Sequence, residues 1–167
     1  EDRTGTLCYQ GRIYTDVPLR YDLYQNELNI LLPKRIGVNV DKRKVNYFIL
    51  NKVMFGPYEG GYQLILHDGH PLKLTSIIRC VFGNEVQEGT SSFKNFDFKE
   101  QYTLAIDGKE YEVKNKKSFI KCFPAYKKQL KKYAKEQALD FKTHRKDAFI
   151  AMTQYAETLI KADRHEQ

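Results

Sequence analysis

The sequence lacks tryptophan, has few cysteines and contains no long apolar run, and each shortage excludes a class of protein. Its 167 residues include three cysteines, Cys8, Cys80 and Cys122, which lie far apart without a CxxC pair, so a disulfide framework is not indicated. We expect three buried or partly buried free thiols; one bridge with one thiol left over is the alternative. Because no stretch reaches the ~20 apolar residues that span a bilayer, we predict no transmembrane segment.

The motifs of nucleotide hydrolases and serine hydrolases are missing as well. The sequence contains no P-loop GxxxxGK[ST], no GxGxxG and no GxSxG. Gly60-Gly61 is not followed by the lysine that a phosphate-binding loop would supply. The sequence therefore gives no support to either chemistry, and we predict a protein without cofactor, metal or enzymatic activity.

Two periodicities divide the chain. From residue 8 to about 115 the apolar residues alternate with a period near two, which is typical of strands joined by tight turns. After Asn115 the spacing becomes helical and remains so to about Ala162. We predict a single α+β domain over residues 1–167: an antiparallel β meander, forming a curved sheet or a barrel-like roll, followed by two to three C-terminal helices.

Glycine, proline, asparagine and aspartate separate the predicted strands. Two-residue hairpin turns are expected at Asp68-Gly69 and Asp107-Gly108, because both central residues need a positive φ that glycine accepts. Residues 83–95 are polar and rich in Gly, Ser and Glu, which predicts a long mobile loop. The candidate strands cover residues 12–15, 19–24, 28–32, 38–40, 45–50, 53–55, 62–66, 72–82, 102–106 and 111–114.

Two histidines flank the first of these turns. His67 and His70 could approach each other and, with one carboxylate, bind Zn²⁺ or Ni²⁺ through imidazole. A third ligand is missing, however, and the HxxH pairs of zinc enzymes lie on helices with a glutamate between them. We therefore interpret the pair as two exposed turn histidines.

Cys122 and the acidic residues of the expected loop are the remaining candidates for chemistry. Lys121 and other nearby cations could lower the pKa of the Cys122 thiol, but the apolar neighbours Phe119 and Phe123 favour a buried, inert cysteine. A glycosidase would need two carboxylates at about 5 to 9 Å. The sequence cannot place such a pair, and acidic residues in a polar loop are usually solvated. The acidic residues concerned are Glu85, Glu88, Asp97 and Glu100.

The positive charge of the chain is concentrated in its C-terminal third. Residues 109–146 hold thirteen lysines or arginines and four acidic residues, a local charge of +9 in a chain of net charge +7. After Pro124, which is predicted to begin a helix, apolar residues recur at helical spacing on one face. The opposite face carries five lysines, which we predict as the contact with an anionic surface: Lys127, Lys128, Lys131, Lys132 and Lys135.

The chemistry of this lysine face limits its partners. A positive potential, reinforced by Lys114, Lys116 and Lys117, would attract a lipid headgroup, an acidic glycan, an acidic envelope protein or nucleic acid. Nucleic acid is disfavoured, because no aromatic residue interleaves with these lysines on their face of the helix to stack on bases, and no arginine is used there for bidentate readout. The plainer interpretation is a solvated helix face.

Five segments of the chain resemble a known group of proteins. Residues 111–121, 124–133 and 139–142 are similar to the C-terminal part of a group of uncharacterised exported proteins of Bacteroidetes-type bacteria, and residues 21–28 and 62–69 are similar to its upstream part. The shared motifs are strand, turn and helix signals and include no catalytic residue. The resemblance implies an exported protein, periplasmic or envelope-associated, whose leader has been removed.

These observations rank three functions. The first is a non-enzymatic exported module that binds or positions a partner in the cell envelope, using the basic helix or the loop at residues 83–95. The second is a cytoplasmic nucleic-acid-binding domain that uses the same helix, which steep salt dependence of binding would reveal. The third is an enzyme that uses the loop carboxylates or the His67–His70 pair, which would require a pocket that gathers those groups.

Overall fold

The computed structural model describes residues 3–33, 36–88 and 91–165. In that part of the chain ten strands precede three helices, with one 3-10 turn at Lys42–Lys44. The strands are β1 (Arg3–Tyr9), β2 (Arg12–Asp22), β3 (Glu27–Leu32), β4 (Ile36–Asn39), β5 (Val45–Leu50), β6 (Val53–Tyr58), β7 (Gly61–Asp68), β8 (Leu72–Glu88), β9 (Ser91–Ile106) and β10 (Lys109–Val113). The helices are α1 (Lys116–Lys121), α2 (Lys127–Glu136) and α3 (Arg145–His165).

The strands form one antiparallel sheet, and the predicted α+β class with C-terminal helices is confirmed. Its order is β10-β9-β8-β7-β6-β5-β1-β2-β3-β4. Strands β5 to β10 are neighbours in chain order, as in a meander, whereas β1 lies between β2 and β5. Among the described residues the sheet is open, so the barrel-like alternative is wrong.

Strand β1 is central to the sheet although the sequence did not predict it. It pairs with β2 on one side and with β5 on the other. A Cβ at Gly5 would lie 2.3 Å from the carbonyl oxygen of Ile49 on β5, so only glycine allows this close approach. The adjoining β-bulge places Asp16 of β2 at a φ of 55°, and bulges of this kind increase the local twist of a strand.

Strand β2 also corrects the predicted boundaries. It runs without interruption through Pro18, which lies between the strands predicted at residues 12–15 and 19–24 and pairs with Thr4 of β1. Proline removes one N–H from the ladder, but its fixed φ is compatible with a strand beside a bulge. The two short strands predicted at residues 12–15 and 19–24 are therefore one long strand.

The mobile loop predicted at residues 83–95 is wrong for the residues that the structure describes. Strand β8 extends to Glu88 and β9 begins at Ser91, while residues 89–90 lie outside the described part. Ladder hydrogen bonds are made by the backbone, so a paired segment can stay extended while its side chains are polar. Composition predicted a loop here because it reports side-chain polarity and not strand pairing.

Of the two predicted Asp-Gly turns, one is confirmed. Asp107 and Gly108 have φ values of 47° and 81° and join β9 to β10 as a two-residue turn. Asp68 instead ends β7, and Gly69 is not among the residues with positive φ. The connection to β8 then takes residues 69–71. Gly69 has a different role, described with the histidines below.

Contacts divide the chain into two compact units. Unit 1 comprises Glu1–Leu64 and Ile77–Glu100, and unit 2 comprises Ile65–Ser76 and Gln101–Gln167. The core of unit 1 is aromatic: the rings of Phe48 and Phe55 stack at 4.7 Å, and Tyr21 and Tyr62 meet Phe48 edge to face. Burial raises the pKa of Tyr21 and of Tyr62 to about 12.

Asn26 holds the turn between β2 and β3 against the turn between β6 and β7 in unit 1. Its side-chain amide donates to the carbonyl of Gly60 at 2.8 Å, and its side-chain oxygen accepts from the backbone N–H of Tyr62 at 3.2 Å and from the hydroxyl of Tyr21. The φ of Asn26 is 57°, a left-handed conformation that asparagine tolerates. One polar side chain thus fixes two turns.

The core of unit 2 lies between strand segments and the three helices. Leu72, Leu104 and Val113 of the strands are fully buried against Phe119 of α1 and Phe149 of α3. Stacked rings of Tyr133 and Tyr155, 4.0 Å apart, join α2 to α3. This packing fixes the three helices with their polar faces outward.

Candidate functional site

A groove between α1 and α2 is the clearest candidate site in unit 2. Its volume is about 660 Å³, within the range of about 300 to 1,000 Å³ that is usual for small-ligand pockets. Six lysines and two apolar residues line it: Lys116, Lys117, Ile120, Lys121, Pro124, Lys127, Lys131 and Lys135.

Helix α2 lines one side of the groove with lysines that are four residues apart in the sequence. Lys127, Lys131 and Lys135 recur at i, i+4 and i+8, so they lie along one face. Leu130 and Ala134 are buried and hold the opposite side of the helix against the core. The helix starts at Lys127 and not at Pro124 as predicted, because residues 124–126 form a turn that leads into it.

Helix α1 is short and is fixed at its start by a capping box. Asn115 accepts from the N–H of Ser118 at 2.9 Å, and Ser118 accepts from the N–H of Asn115 at 3.0 Å. Phe119 and Ile120 anchor the helix in the core. With that side buried, Lys116, Lys117 and Lys121 remain exposed beside the groove.

The groove has a strong positive potential that no neighbouring acid neutralises. No carboxylate lines it, and none of its six lysines has an ion-pair partner among the described residues. The nearby ion pairs use other lysines: Lys132 pairs with Glu136 at 3.7 Å and Lys114 with Glu112 at 3.5 Å. Like charges four residues apart on a helix repel one another, so this arrangement costs stability and would be relieved by an anion.

The first turn of α2 adds to this potential. Its N-cap residue, Tyr126, makes no side-chain hydrogen bond to the helix, and the first turn contains no acidic residue. The free N–H groups at a helix start carry about half a positive charge in total. Lys127 and Pro124 bring this end of the helix to the groove.

Three of the five lysines predicted from sequence therefore line the groove and two do not. Lys127, Lys131 and Lys135 are part of it, whereas Lys128 and Lys132 are exposed elsewhere on α2. The groove also includes Lys116 and Lys117, which were predicted to reinforce the lysine face, and Lys121, which was not predicted to belong to it. The helical spacing of α2 could not reveal Lys121, because its position depends on how α1 packs beside α2.

The structure corrects the prediction for His67. Its Nε2 lies 2.6 Å from Oε2 of Glu157 on α3, and their side chains are 15% and 8% exposed. His70 is exposed, as predicted. A Cβ at Gly69 would lie 2.5 Å from the His67 Nε2 and 2.6 Å from the Glu157 Oε2, so glycine makes room for this pair.

Glu157 is held as a carboxylate by its partners. Burial raises the pKa of Glu157, but the interactions of its carboxylate with the Lys161 ammonium and with His67 outweigh this and leave the pKa below its usual value. Lys161 Nζ lies 2.7 Å from Oε1 of Glu157. Neither His67 nor Glu157 lines the lysine groove, and their geometry is that of a structural hydrogen-bonded contact between β7 and α3.

The other predicted candidates do not converge on a site. Within the described residues no three His, Cys, Asp or Glu side chains are grouped to hold a metal ion. The side chains of Glu85 and Glu88 lie outside the described part, and Asp97 is exposed on β9. All three cysteines are free, as expected. Burial raises the pKa of the Cys122 thiol, which opposes a nucleophilic role.

None of the helices in the described ranges combines the length and the apolar character needed to cross a membrane. Comparison of the chain with models of protein families, with curated proteins and with solved structures found no match.

Proposed function

We propose that this protein is a non-enzymatic binding module of the cell envelope that holds an anionic partner in the lysine-lined groove. The observation that carries the proposal is the grouping of six lysines from two helices around one concavity without a lining carboxylate. A merely solvated helix face would not require two helices to direct their lysines to the same groove. The envelope location is supported by the resemblance to exported proteins described above.

The binding test compares two pairs of lysines on the same helix. K131Q/K135Q removes two charges from the groove, and K128Q/K132Q removes two charges from α2 outside it. The probe is a short polyphosphate, titrated at several salt concentrations. Because each lysine near an anionic surface contributes about 1 kcal/mol, the groove pair should weaken binding about 10- to 30-fold. The control pair should weaken it about threefold or less.

The control pair also defines the outcome that would contradict the proposal. If both pairs weaken binding equally, the anion interacts with the general charge of α2 and the groove is not a site. If wild-type protein binds no polyanion at low salt, the proposed function is wrong. Circular dichroism of each variant verifies that the fold is retained.

The location needs a separate experiment. The complete native gene is expressed with its own N-terminus, cells are fractionated, and the mature N-terminus is identified by mass spectrometry. Removal of a leader and recovery in the envelope fraction are expected. An uncleaved protein in the cytoplasm would contradict the envelope location and would make nucleic acid the first partner to test, by the salt dependence of its binding.

A further inference from the structure

We infer that the partner of the groove is a lipid with a phosphate headgroup and that the groove holds one of its acyl chains; the inference rests on the proposed function. It adds a hydrophobic requirement to the electrostatic one. An inorganic polyanion would satisfy the lysines but would leave the rest of the groove unused.

The first argument is the chemistry of the groove walls. Pro124 is exposed at the groove, Ile120 lines it with the 5% of its surface that core packing leaves exposed, and each lysine contributes a four-carbon stem below its ammonium group. All six lysines are exposed, so their charged ends stay in water while the stems line the groove. A polyanionic sugar or phosphate chain gains nothing from such walls, whereas an alkyl chain removes their apolar surface from water.

The second argument is the placement of the charges relative to that hydrocarbon. Lysines flank the apolar residues from both helices, with Lys117 and Lys121 on α1 and Lys127 and Lys131 on α2. A ligand with its chain in the groove would therefore have several ammonium groups within reach of its head. Lysine binds phosphate as a point charge and does not require the planar geometry of arginine.

The third argument is size, which disfavours an acidic amphipathic helix as the occupant. A helix bound in a groove anchors itself through residues at i, i+3 or i+4 and i+7, a stripe of about 10 Å. The groove offers only two apolar residues, Ile120 and Pro124, besides lysine stems. A single alkyl chain is narrower than a helix and fits a volume of about 660 Å³ together with its headgroup.

The test is a chain-length series of alkyl phosphates measured below their critical micelle concentrations. Inorganic phosphate, butyl phosphate, octyl phosphate and dodecyl phosphate are titrated into the full chain by calorimetry and by amide chemical shifts. Full burial of one methylene strengthens binding about fourfold, and in this half-open groove we expect about twofold for each. Dodecyl trimethylammonium, with the opposite charge, should not bind.

Variants separate the contributions of charge and chain. K131Q/K135Q should weaken binding of every alkyl phosphate by the same factor, about 10- to 30-fold, and leave the dependence on chain length unchanged. K128Q/K132Q serves as the matched control and should have little effect. Shifted amides should belong to α1, α2 and the residues between them.

Each opposing outcome identifies which proposal fails. If polyphosphate binds through the groove lysines but affinity does not rise with chain length, the lipid inference is wrong and the proposed function stands. If dodecyl maltoside binds as well as dodecyl phosphate and the groove variants change nothing, both are wrong. Binding that appears only above the micelle concentration, or only with anionic vesicles, would indicate contact with a membrane surface and would overturn the single-chain site.

Discussion

Unit 1 and unit 2 differ in how far they bury the apolar side chains of their strands. In unit 2 three helices cover the strands, and the buried cluster contains residues of both layers. In unit 1 a buried cluster that includes Leu28 and Phe48 coexists with large hydrophobic residues that are exposed. All the large hydrophobic side chains that are exposed among the described residues belong to unit 1: Ile13, Tyr14, Tyr24, Leu32, Ile36, Val38, Tyr58, Phe82, Phe96 and Phe98.

The difference follows from the different side-chain periodicities of strands and helices. A strand sends alternate residues to opposite faces, so a strand with apolar residues on both faces leaves some of them in water unless both faces are covered. A helix gathers its apolar residues on one side and leaves the other side polar. Unit 1 partly compensates by packing Tyr24, Phe82 and Phe96 on one another, with ring centroids 5.3 to 6.0 Å apart. Among its described residues, unit 2 leaves no large hydrophobic side chain exposed, and its surface is rich in lysine.

The largest expected effect tests whether the covered core stabilises the protein. Phe149 is fully buried among Tyr102, Phe119 and Phe141, so Phe149→Ala should lower the free energy of unfolding by about 3 to 5 kcal/mol. Phe98 of unit 1 is 62% exposed, and Phe98→Ala should change it by no more than about 0.5 kcal/mol. Urea denaturation followed by circular dichroism measures both. Equal losses would mean that the exposed aromatic residues are buried in solution.

The next effect concerns stability at acid pH. Glu157 has a pKa below its usual value because of Lys161 and His67. A carboxylate with a lowered folded-state pKa stabilises the fold above its unfolded-state pKa of about 4.3 and loses this contribution as the pH falls through the folded value. Glu157→Gln should cost about 1.5 to 3 kcal/mol at neutral pH and should reduce the loss of stability below about pH 4. Denaturation midpoints from pH 2.5 to 7 would detect it; an unchanged acid profile would contradict the role of Glu157.

At alkaline pH, the loss of stability should arise from a residue of unit 1. The Tyr62 hydroxyl is buried without a hydrogen-bond partner among the described residues, and its pKa is raised to about 12. A tyrosine with a raised folded-state pKa stabilises the fold below its unfolded value of about 10 and loses this as the pH rises through 12. Tyr62→Phe should therefore change stability by no more than about 1 kcal/mol at pH 7. It should also remove one late-ionising tyrosine from a spectrophotometric titration, and retention of all late phases would refute this assignment.

The smallest expected effect is a gain in stability at the groove. Lys127, Lys131 and Lys135 repel one another at i, i+4 spacing, and each like-charge pair costs about 0.2 to 0.5 kcal/mol. K131Q/K135Q should therefore stabilise the protein by a few tenths of a kcal/mol at low ionic strength, and 0.5 M salt should abolish the gain. K128Q/K132Q should gain less, because Lys132 already pairs with Glu136. A loss of stability in the groove pair would mean that these lysines support the fold.

The sequence predicted the parts of the fold that depend on local patterns. Strand β5 was predicted with its observed bounds, Val45–Leu50, because its alternation is bounded by clear turn residues. The Asp107-Gly108 turn was predicted because its signal is contained in two adjacent residues. Strand β1 was missed because its Thr and Gly residues carry no clear strand pattern by themselves. Its strand conformation depends on pairing with β2 on one side and with β5 on the other.

The candidate site was predicted only in part for the same reason. The i, i+4 pattern identified the lysines of α2, but no local pattern shows that α1 directs Lys116, Lys117 and Lys121 to the same groove. His67 was misinterpreted because its partner, Glu157, is 90 positions away in the chain. In each case the missing information was a tertiary contact.

The absence of a side chain at Gly69 couples this position to His67 and Glu157, so substitutions at these positions are not independent. A methyl group at this position would occupy the space of the His67–Glu157 pair, so Gly69→Ala should be harmful in the wild-type background and much less harmful once both His67 and Glu157 have been shortened to alanine. The three changes are therefore expected to be non-additive, although residues 69 and 157 are remote in sequence. Among diverging descendants of this chain, a side chain at position 69 should be acceptable only after positions 67 and 157 have changed.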